Sequence, residues 1–406
     1  MDTLSHQQRH ANMAAIHSKN TKPEMIVRRG LWKRGFRYRL NHKLFLCLLL
    51  LFSCSTQDAQ EENLLQEGKW NPQVWTILNE LLRYSGKGTY AVFDFDQTTI
   101  VHDITQALWV YQIEHLRYAD APVHHFLDGI PQKEVKMPGK EDSYAEMGEV
   151  LSLEYKSMKS RLDAGESIET IRQSNDYLDF RARMVSLMDA MDEHYGSWVT
   201  FLWQPGLLAG YTETEATALI RDAIAEHLGK DKLAVEKWCS PNGHWGGEVQ
   251  RGIWISPEMK DLYRCLMLAG IDTYVCSASL ELIVEILACD PVLGFGLPAD
   301  KVYGLRFISG ERIVAQFDPA YEQPIKEGKV DCIRAYMAPA HGNAEPVLVA
   351  GDSNGDVPML TVFPNMKHGL IIDVGRSPES AIGQLATKAK KENNTGLYLL
   401  QLSFER

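Results

Sequence analysis

The arrangement of apolar and polar positions changes along the chain. Short apolar runs near residue 90 and beyond residue 250 each end in small or acidic residues, and amphipathic stretches lie between them. The predicted strands are 89–95, 271–276, 346–350 and 370–373, with a small hairpin formed by 302–307 and 313–317. The predicted helices are 64–86, 259–268, 280–289 and one that begins near Lys329. This alternation of strands and helices predicts an α/β fold with an open, mainly parallel sheet.

Residues 102–251 follow another pattern. Their periodicity is helical throughout, it is interrupted by prolines, and it shows no convincing strand alternation. The clearest helical stretches are 145–163, 167–195 and 213–228. We therefore expect residues 102–251 to be a helical insertion in a core built from 64–101 and 252–406.

Two acids stand at the end of the first predicted strand of the core, at Asp94 and Asp96. Side chains alternate along a strand, so both carboxylates point to the same side. Like charges this close raise each other's pKa. A bound cation, or a proton held on one carboxylate, removes that cost, and both remedies belong to phosphoryl-transfer chemistry.

Further polar residues follow later strands, and each has a task if a phosphate monoester is hydrolysed. Asp94 is the expected nucleophile and Asp96 the expected acid and base. Ser277 donates its hydroxyl to a phosphoryl oxygen, and Lys329 offsets charge there, with Lys326 as the competing lysine. The candidate ligands for Mg²⁺ are Asp94, Asp96, Asp352 and Asp356, of which Asp356 has the alternative task of holding Lys329 or a metal-bound water.

These motifs resemble a known superfamily over residues 88–380. Asp94-Phe95-Asp96-Gln97-Thr98, then Ser277, Lys329 and Gly351-Asp352-Ser353-Asn354-Gly355-Asp356 are similar to the four motifs of haloacid-dehalogenase-superfamily phosphatases. The resemblance is to the phosphoserine-phosphatase-like branch, and the overall layout resembles phosphorylcholine phosphatases. It implies a Rossmann-like parallel sheet, a helical cap over a small substrate, an aspartyl-phosphate intermediate, and Thr98 as a further substrate-binding residue.

Aromatic residues in the helical stretch leave the substrate open. A cage for a cationic head group such as choline is one interpretation of this set, through cation–π attraction. Ordinary packing in a hydrophobic core is the other. The residues concerned are Trp109, Tyr111, Trp203, Trp238 and Trp245.

The first 43 residues differ from the rest in charge. They carry ten Lys and Arg against two acids, a net charge of +8 within a chain of −11, so the remainder carries −19. An acidic body argues against nucleic acid as its main partner. Residues 5–43, with Ser18–Glu24 and Arg34–Leu40, resemble the N-terminus of very-short-patch-repair DNA mismatch endonucleases. The resemblance places Glu24 on an active-site glutamate but ends at Lys43, so we expect at most DNA binding and no cleavage.

An apolar run follows this basic segment. Residues 44–54 are too few to span a membrane, but they suit the apolar region of a signal peptide. Leu51-Phe52-Ser53-Cys54 resembles a bacterial lipoprotein box, with Cys54 acylated and the acidic stretch up to residue 63 as a tether. A processed signal predicts an envelope lipoprotein in the periplasm or outer membrane, and an unprocessed one predicts the cytoplasm.

The composition bounds the function more loosely. The chain is 45% apolar and 23% charged, as in soluble globular proteins, and its seven cysteines show no metal-type spacing. We expect Cys265, Cys276, Cys289 and Cys332 to be small apolar residues, with a disulfide left open for Cys239. The leading hypothesis is a Mg²⁺-dependent phosphatase of small molecules. The alternatives are a remnant of a DNA repair endonuclease and a non-catalytic envelope lipoprotein.

Overall fold

The computed structural model describes residues 64–119, 125–308 and 310–405. Within them the helices alternate with strands after residue 250, as the apolar pattern predicts. The α-helices are α1 (Pro72–Tyr84), α2 (Ile104–His115), α3 (Tyr144–Asp163), α4 (Ile168–Arg172), α5 (Asn175–Tyr195), α6 (Ser197–Gly206), α7 (Glu213–His227), α8 (Pro257–Ala269), α9 (Glu281–Ala288), α10 (Glu327–Cys332), α11 (Val357–Thr361) and α12 (Ala381–Lys391).

The strands form one large and one small sheet. They are β1 (Tyr90–Phe93), β2 (Ala234–Cys239), β3 (Gly246–Arg251), β4 (Asp272–Leu280), β5 (Val302–Leu305), β6 (Leu348–Gly351), β7 (His368–Asp373) and β8 (Tyr398–Leu402). The large sheet has the order β5-β4-β1-β6-β7-β8, and every neighbouring pair is parallel. The prediction of an α/β fold with a parallel sheet is confirmed.

Both faces of the sheet are covered, because its central strands are apolar on both sides. All four residues of β1 are buried. Ala91 and Phe93 pack into one hydrophobic cluster, while Tyr90 and Val92 pack into another on the opposite face. A continuous apolar run, rather than an alternating one, is what a parallel strand buried on both faces requires.

Helix α8 shows how local sequence sets an element next to the sheet. The Ser256 hydroxyl accepts a hydrogen bond from Met259 N, Pro257 occupies the first turn, and Gly270 ends the helix in the left-handed region at φ +76°. Its buried residues, among them Met259 and Leu262, join the same hydrophobic cluster as Ala91. The amphipathic pattern and the caps agree, and the chain then enters β4.

The helical stretch between β1 and β4 has its own hydrophobic cluster, drawn from residues 109–249. It also contains β2 and β3, which pair antiparallel, so the expectation of no strands there is wrong. The physical reason is that each strand buries one side chain, Trp238 in β2 and Val249 in β3. Such strands show no apolar alternation. The division of the chain into a core and a cap remains a prediction.

Two further local predictions need correction. The helix expected over 64–86 begins at Pro72, because Asn71 caps it by accepting from Gln73 N and Val74 N. The hairpin expected at 302–317 is reduced to one antiparallel bridge, between Phe307 and Phe317. Its first strand instead pairs in parallel with β4 and extends the large sheet.

None of the helices among the described residues is long and apolar enough to cross a membrane. The predicted signal-like segment and the basic segment before it lie outside the described residues. The five cysteines from Cys239 onward are all free; Cys265, Cys276 and Cys332 are buried, whereas Cys239 is exposed.

Candidate active site

Three neighbouring strands end at the same edge of the large sheet. Strand β1 lies between β4 and β6, and Asp94 N donates to Ala350 O at 3.0 Å, which ties the end of β1 to β6. Strands β4 and β6 lie on opposite sides of β1. This edge is therefore the topological switch point of the sheet, which is where α/β proteins bind ligands. The residues after β1 and β6, and those at the end of β4, are therefore brought together.

A tight loop after β1 fixes the two acids of its motif. Thr99 N and Ile100 N both donate to Phe95 O, and the Thr99 hydroxyl donates to Asp94 O at 2.6 Å. Gln97 takes a positive φ of 58°, which tightens the turn. The loop thus holds the backbone on both sides of Asp96 in one conformation.

Lys329 connects the ends of two strands. Its Nζ donates to Asp94 Oδ1 at 2.7 Å and to Asp356 Oδ1 at 2.6 Å. The lysine side chain is 3% exposed, so the ion pairs are shielded from water. Burial alone lowers the pKa of Lys329, but the Asp356 and Asp94 carboxylates outweigh burial and raise it. The ammonium group therefore favours its charged form and bridges the two acids.

Asp356 is fully occupied by protein donors. Besides Lys329, it accepts from Asp352 N at 3.1 Å, Ser353 N at 3.0 Å and the Ser353 hydroxyl at 2.9 Å. Its side chain is 0% exposed. Two carboxylate oxygens offer about four acceptor positions. The structure thus places Asp356 as the holder of Lys329 and of the loop after β6, and leaves it little capacity as a direct metal ligand.

Asp352 lies beside this pair with both oxygens engaged. Oδ1 accepts from the Thr98 hydroxyl at 3.3 Å, and Oδ2 accepts from Arg376 Nη2 at 2.7 Å. Burial raises the pKa of Asp352 to about 6, with Asp356 adding to the shift and Arg376 opposing it. Thr98 is buried against Asp352 rather than lining the cavity, so the structure gives no support to its predicted contact with substrate.

Asp96 has a separate environment. Its Oδ1 accepts from Ile104 N at 2.7 Å and its Oδ2 from the Ser279 hydroxyl at 2.6 Å. Burial and the neighbouring Asp103 raise the pKa of Asp96 well above its ordinary value, and these two hydrogen bonds oppose the shift. A raised pKa suits a group that must give a proton and then take one.

The sequence predicts that the Ser277 hydroxyl contacts a phosphoryl oxygen, but the structure buries this residue. It is 0% exposed, and its hydroxyl oxygen accepts from Ser279 N at 3.1 Å. The next two residues, Ala278 and Ser279, line the cavity. Sequence reasoning missed Ser279 as the partner of Asp96 and Arg376 as the partner of Asp352. Ser279 adjoins a motif that was recognised, whereas Arg376 has no motif around it.

The donor set fits a divalent cation. Among the described residues, Asp94, Asp352 and Asp356 are buried with carboxylate oxygens within 4.8 Å of one another. Three carboxylates face two protein cations, Lys329 and Arg376. Burial, with the neighbouring Asp356 adding to it, raises the pKa of Asp94 to about 8, so negative charge on this group is costly without a further cation. Hard oxygen ligands with excess negative charge are what Mg²⁺ prefers. The prediction of Asp96 as a carboxylate ligand is not supported, because its carboxylate lies outside this group.

A second group of potential ligands lies in the helical stretch. Glu114, Glu226 and His227 have ligand atoms within 4.8 Å of one another. Arg251 already neutralises Glu114, since its Nη2 lies 2.7 Å from Glu114 Oε2. None of these three residues lines the cavity that Asp94 and Asp352 enter, so we do not assign a metal to this group.

Asp94 and Asp352 line a cavity of about 600 Å³. One wall comes from the strand ends and from α10, including Asp94 and Lys329, and the other comes from the helical stretch. The helical side contributes Asp192, Ser197, Phe201, Gln204 and Pro205. This volume suits a small molecule, and the site therefore has room for an ester whose leaving group contacts the helices.

The aromatic residues considered for a cage do not line this cavity. Trp109, Trp203 and Trp238 are at most 1% exposed, and the Trp109 ring lies 6.3 Å from Trp238 and 6.4 Å from Trp203. Two of the chain's own cations lie over the Trp245 ring, Lys140 at 4.5 Å and Arg183 at 5.2 Å. The cage interpretation is not supported, and packing in a hydrophobic core accounts for these residues.

The family comparison agrees with the strand-end motifs. Residues 198–361 match the family model described as haloacid dehalogenase-like hydrolase. The resemblance to haloacid dehalogenase-like hydrolases is confirmed. The matched span includes Ser277, Lys329, Asp352 and Asp356, and it begins after Asp94 and Asp96.

Two relatives extend the comparison. A phosphorylcholine phosphatase of Pseudomonas aeruginosa is 24% identical over 268 residues, which are 64% of this chain and 61% of that protein. The alignment thus spans less than two thirds of the curated relative. A functionally unknown protein from Anaerococcus prevotii has a similar structure, with a TM-score of 0.72 and 25% sequence identity over 85% of this chain and 98% of that one.

The basic N-terminal segment matches a different family. Residues 1–46 match the family model of the DNA mismatch endonuclease Vsr. A type II nicking enzyme of Neisseria meningitidis is 56% identical over 34 residues, which are 8% of this chain and 24% of that enzyme. The predicted resemblance is confirmed for this short segment alone, which lies outside the described residues.

Proposed function

We propose that the chain is a Mg²⁺-dependent phosphomonoester hydrolase that acts on a small molecule through an aspartyl-phosphate on Asp94. The observation that carries the proposal is the Lys329 bridge between Asp94 and Asp356, with Asp352 and the cavity beside it. Acids that follow β1 and β6 meet there around one lysine of α10. The match to a haloacid dehalogenase-like hydrolase and the phosphorylcholine phosphatase relative support the same chemistry.

In the first half-reaction an Asp94 oxygen attacks phosphorus while the bond from phosphorus to the ester oxygen breaks. Asp96 gives its proton to that leaving oxygen, and the hydrogen bonds from Ser279 and Ile104 N hold Asp96 in place. Lys329 keeps Asp94 oriented and offsets the charge that gathers around phosphorus. The products are the alcohol and an acyl phosphate on Asp94.

In the second half-reaction Asp96, now ionised, takes a proton from water. The water oxygen attacks phosphorus, the bond between phosphorus and the Asp94 oxygen breaks, and inorganic phosphate leaves. Both carboxyl groups return to their starting protonation states. Asp94 and Asp352 would hold Mg²⁺, which neutralises negative charge between the carboxylates and the phosphoryl oxygens when it is bound.

The cavity favours an ester whose leaving group carries a positive nitrogen, of the phosphoserine or phosphorylcholine type. Asp103 and Asp192 both line it, as does the aromatic Phe201. Two acids attract an ammonium group, and an aromatic ring adds cation–π attraction. This proposal replaces the tryptophan cage, whose members pack elsewhere.

The direct test is turnover of p-nitrophenyl phosphate with Mg²⁺ by Asp94→Asn. We expect activity to fall at least about a thousandfold, because the amide is not a nucleophile. Asp300→Asn is the matched control, since Asp300 is an exposed acid away from the cavity, and it should retain full activity. Wild-type-like turnover by Asp94→Asn would refute the proposal.

The substrate class is tested with a panel of esters that differ in the leaving group. Phosphorylcholine and O-phosphoserine should be hydrolysed with higher kcat/KM than glycerol phosphate, which lacks the positive nitrogen. Asp192→Asn should reduce this difference in kcat/KM between the esters with and without a positive nitrogen. Its turnover of p-nitrophenyl phosphate should stay within about twofold of wild type. An equal kcat/KM across the panel would contradict the proposed preference.

The N-terminal segments carry separate proposals. We propose that residues 5–43 bind DNA at most, without cleaving it, and that Cys54 anchors the protein to the cell envelope if the apolar segment is processed. Nicking of a T·G mismatched duplex by the purified chain would contradict the first proposal. Mass spectrometry of the N-terminus in cells decides the second, since an intact Met1 excludes a lipidated Cys54 at the mature terminus.

A further inference from the structure

Arg376 reaches the candidate metal site from a loop that no sequence motif marks. The loop follows β7, where Gly375 N donates to Asp373 Oδ1 at 2.8 Å and Gly375 has φ +91°. Arg376 Nη2 then lies 2.7 Å from Asp352 Oδ2. The arginine side chain is 48% exposed, whereas that of Asp352 is 3% exposed. A long side chain that is half in solvent thus pairs with a buried, fixed carboxylate.

Arg376 contacts Asp352 Oδ2, the oxygen of this acid that is easiest to free for a cation. Asp352 Oδ1 accepts from Thr98, which is buried, and Asp356 is occupied by Lys329 and backbone donors. Asp352 Oδ2 is therefore the most exchangeable of these oxygens, because its donor can withdraw into solvent. A divalent cation that binds Asp352 here must take the place of the guanidinium or share the oxygen with it.

The charge balance favours replacement. Asp94, Asp352 and Asp356 carry −3 when ionised, and Lys329 with Arg376 returns +2. Adding a divalent cation while Arg376 stays would leave the cluster at +1, whereas withdrawing Arg376 brings it to zero. Buried clusters are most stable when their charges cancel.

We propose that Arg376 is a built-in competitor of the divalent cation for Asp352. The guanidinium neutralises Asp352 in the metal-free protein and leaves Oδ2 when the cation binds. The inference rests on the proposed function, because it needs the Asp94 and Asp352 pair to be the metal site. It assigns to Arg376 a charge-balancing task that no sequence motif predicts.

The test is Mg²⁺ binding to the full chain by isothermal titration calorimetry, without substrate. Arg376→Gln should bind Mg²⁺ about fivefold to tenfold more tightly than wild type, since it removes one positive charge beside the site, partly screened by water. Arg221→Gln, a change of the same charge at an exposed position outside the cavity, should leave the dissociation constant unchanged.

Thermal unfolding gives the second readout. In EDTA, Arg376→Gln should melt below wild type, because Asp352 no longer has its charged partner. In saturating Mg²⁺ the difference should largely disappear, as the cation takes over that task. A purely structural arginine would lower the melting temperature equally in both conditions and would not tighten binding.

The outcomes separate the two proposals. Equal or weaker Mg²⁺ binding by Arg376→Gln, with wild type binding normally, overturns the role of Arg376 and leaves the proposed function standing. Wild type that binds no Mg²⁺ but still turns over phosphate esters overturns the metal site and, with it, this inference. An inactive wild type that binds Mg²⁺, with tighter binding by Arg376→Gln, supports this inference and refutes the proposed hydrolase.

Discussion

The strand-end site and the helical stretch bury their side chains for opposite reasons. At the strand ends, buried carboxylates are held by named donors, such as Lys329 for Asp94 and Asp356. In the helical stretch, Trp109 and Trp238 stack in an apolar cluster. A charge without its partner is costly in the interior, whereas a modest change in the shape of an apolar side chain costs far less. The first region should therefore tolerate substitution much less than the second.

The largest effect is expected at the lysine that binds the site together. Lys329→Met should lower kcat at least about a thousandfold and destabilise the fold by about 3–5 kcal/mol, because it leaves two buried carboxylates without their cation. Steady-state kinetics and urea unfolding measure the two effects. Lys326→Met is the control, since Lys326 lines the same cavity without holding Asp94, and it should change stability by less than about 1 kcal/mol. Equal effects of the two changes would contradict the special role of Lys329, and a larger effect of Lys326→Met would reverse the assignment of the lysines.

A smaller effect is expected where a hydroxyl orients a carboxylate. Ser279→Ala removes the hydrogen bond to Asp96 and should lower kcat roughly 30- to 100-fold, as a misplaced proton donor does. That bond also opposes the raised pKa of Asp96, so its loss raises this pKa further and moves the alkaline limb of the kcat/KM profile to higher pH. Ser197→Ala, at the opposite wall of the cavity, should leave the profile in place. An unmoved alkaline limb in Ser279→Ala would show that Asp96 is not the proton donor.

The helical stretch contains a buried titratable residue, His227, which gives a pH-dependent test of the same comparison. Burial lowers the pKa of His227 from 6.5 to about 4, with Arg251, His115 and Lys232 acting in the same direction and Glu226 against it. The unfolded chain therefore takes up the proton first, so stability is complete above about pH 7 and declines as the pH falls toward 4. At pH 5 the loss should be about 2 kcal/mol.

The check is urea unfolding of wild type and His227→Gln at pH 8 and pH 5. The variant should lose about 2 kcal/mol less than wild type between these two conditions, because glutamine does not titrate. An identical loss in both proteins would assign the acid sensitivity to other groups.

The mildest effect is expected for a conservative change in the aromatic cluster. Trp109 is 0% exposed, and its Nε1 has no hydrogen-bond partner among the described residues. Trp109→Phe should therefore cost only about 1–2 kcal/mol of stability and leave KM for phosphorylcholine within about twofold. A large rise in KM for phosphorylcholine, with p-nitrophenyl phosphate unaffected, would restore the tryptophan cage.

The same contrast explains what could be predicted from the sequence. The fold class followed from apolar runs and helix caps, because strands buried on both faces and capped helices leave local patterns. Asp94, Lys329 and Asp352 could be nominated since each follows a strand or begins a helix. Strands β2 and β3 could not be predicted, because a single buried side chain in each strand makes no alternating pattern.

Side chains that arrive through tertiary structure were beyond local patterns. Arg376 is 24 positions from Asp352 and becomes its partner only because β6 and β7 are neighbours in the sheet. Thr98 was expected at the substrate and instead contacts Asp352. Both depend on the packing of loops at one sheet edge, which periodicity along the chain does not encode.

The central claim is that Asp94 carries the phosphoryl group during turnover. The most direct measurement is to quench the full chain with borohydride during turnover of a phosphate ester with Mg²⁺, and to map the reduced residue by peptide mass spectrometry. Acyl phosphates are reduced whereas free carboxylates are not, so we expect reduction of Asp94 that depends on both the ester and Mg²⁺. Reduction at Asp96, or turnover with no reduced aspartate at all, would contradict the account.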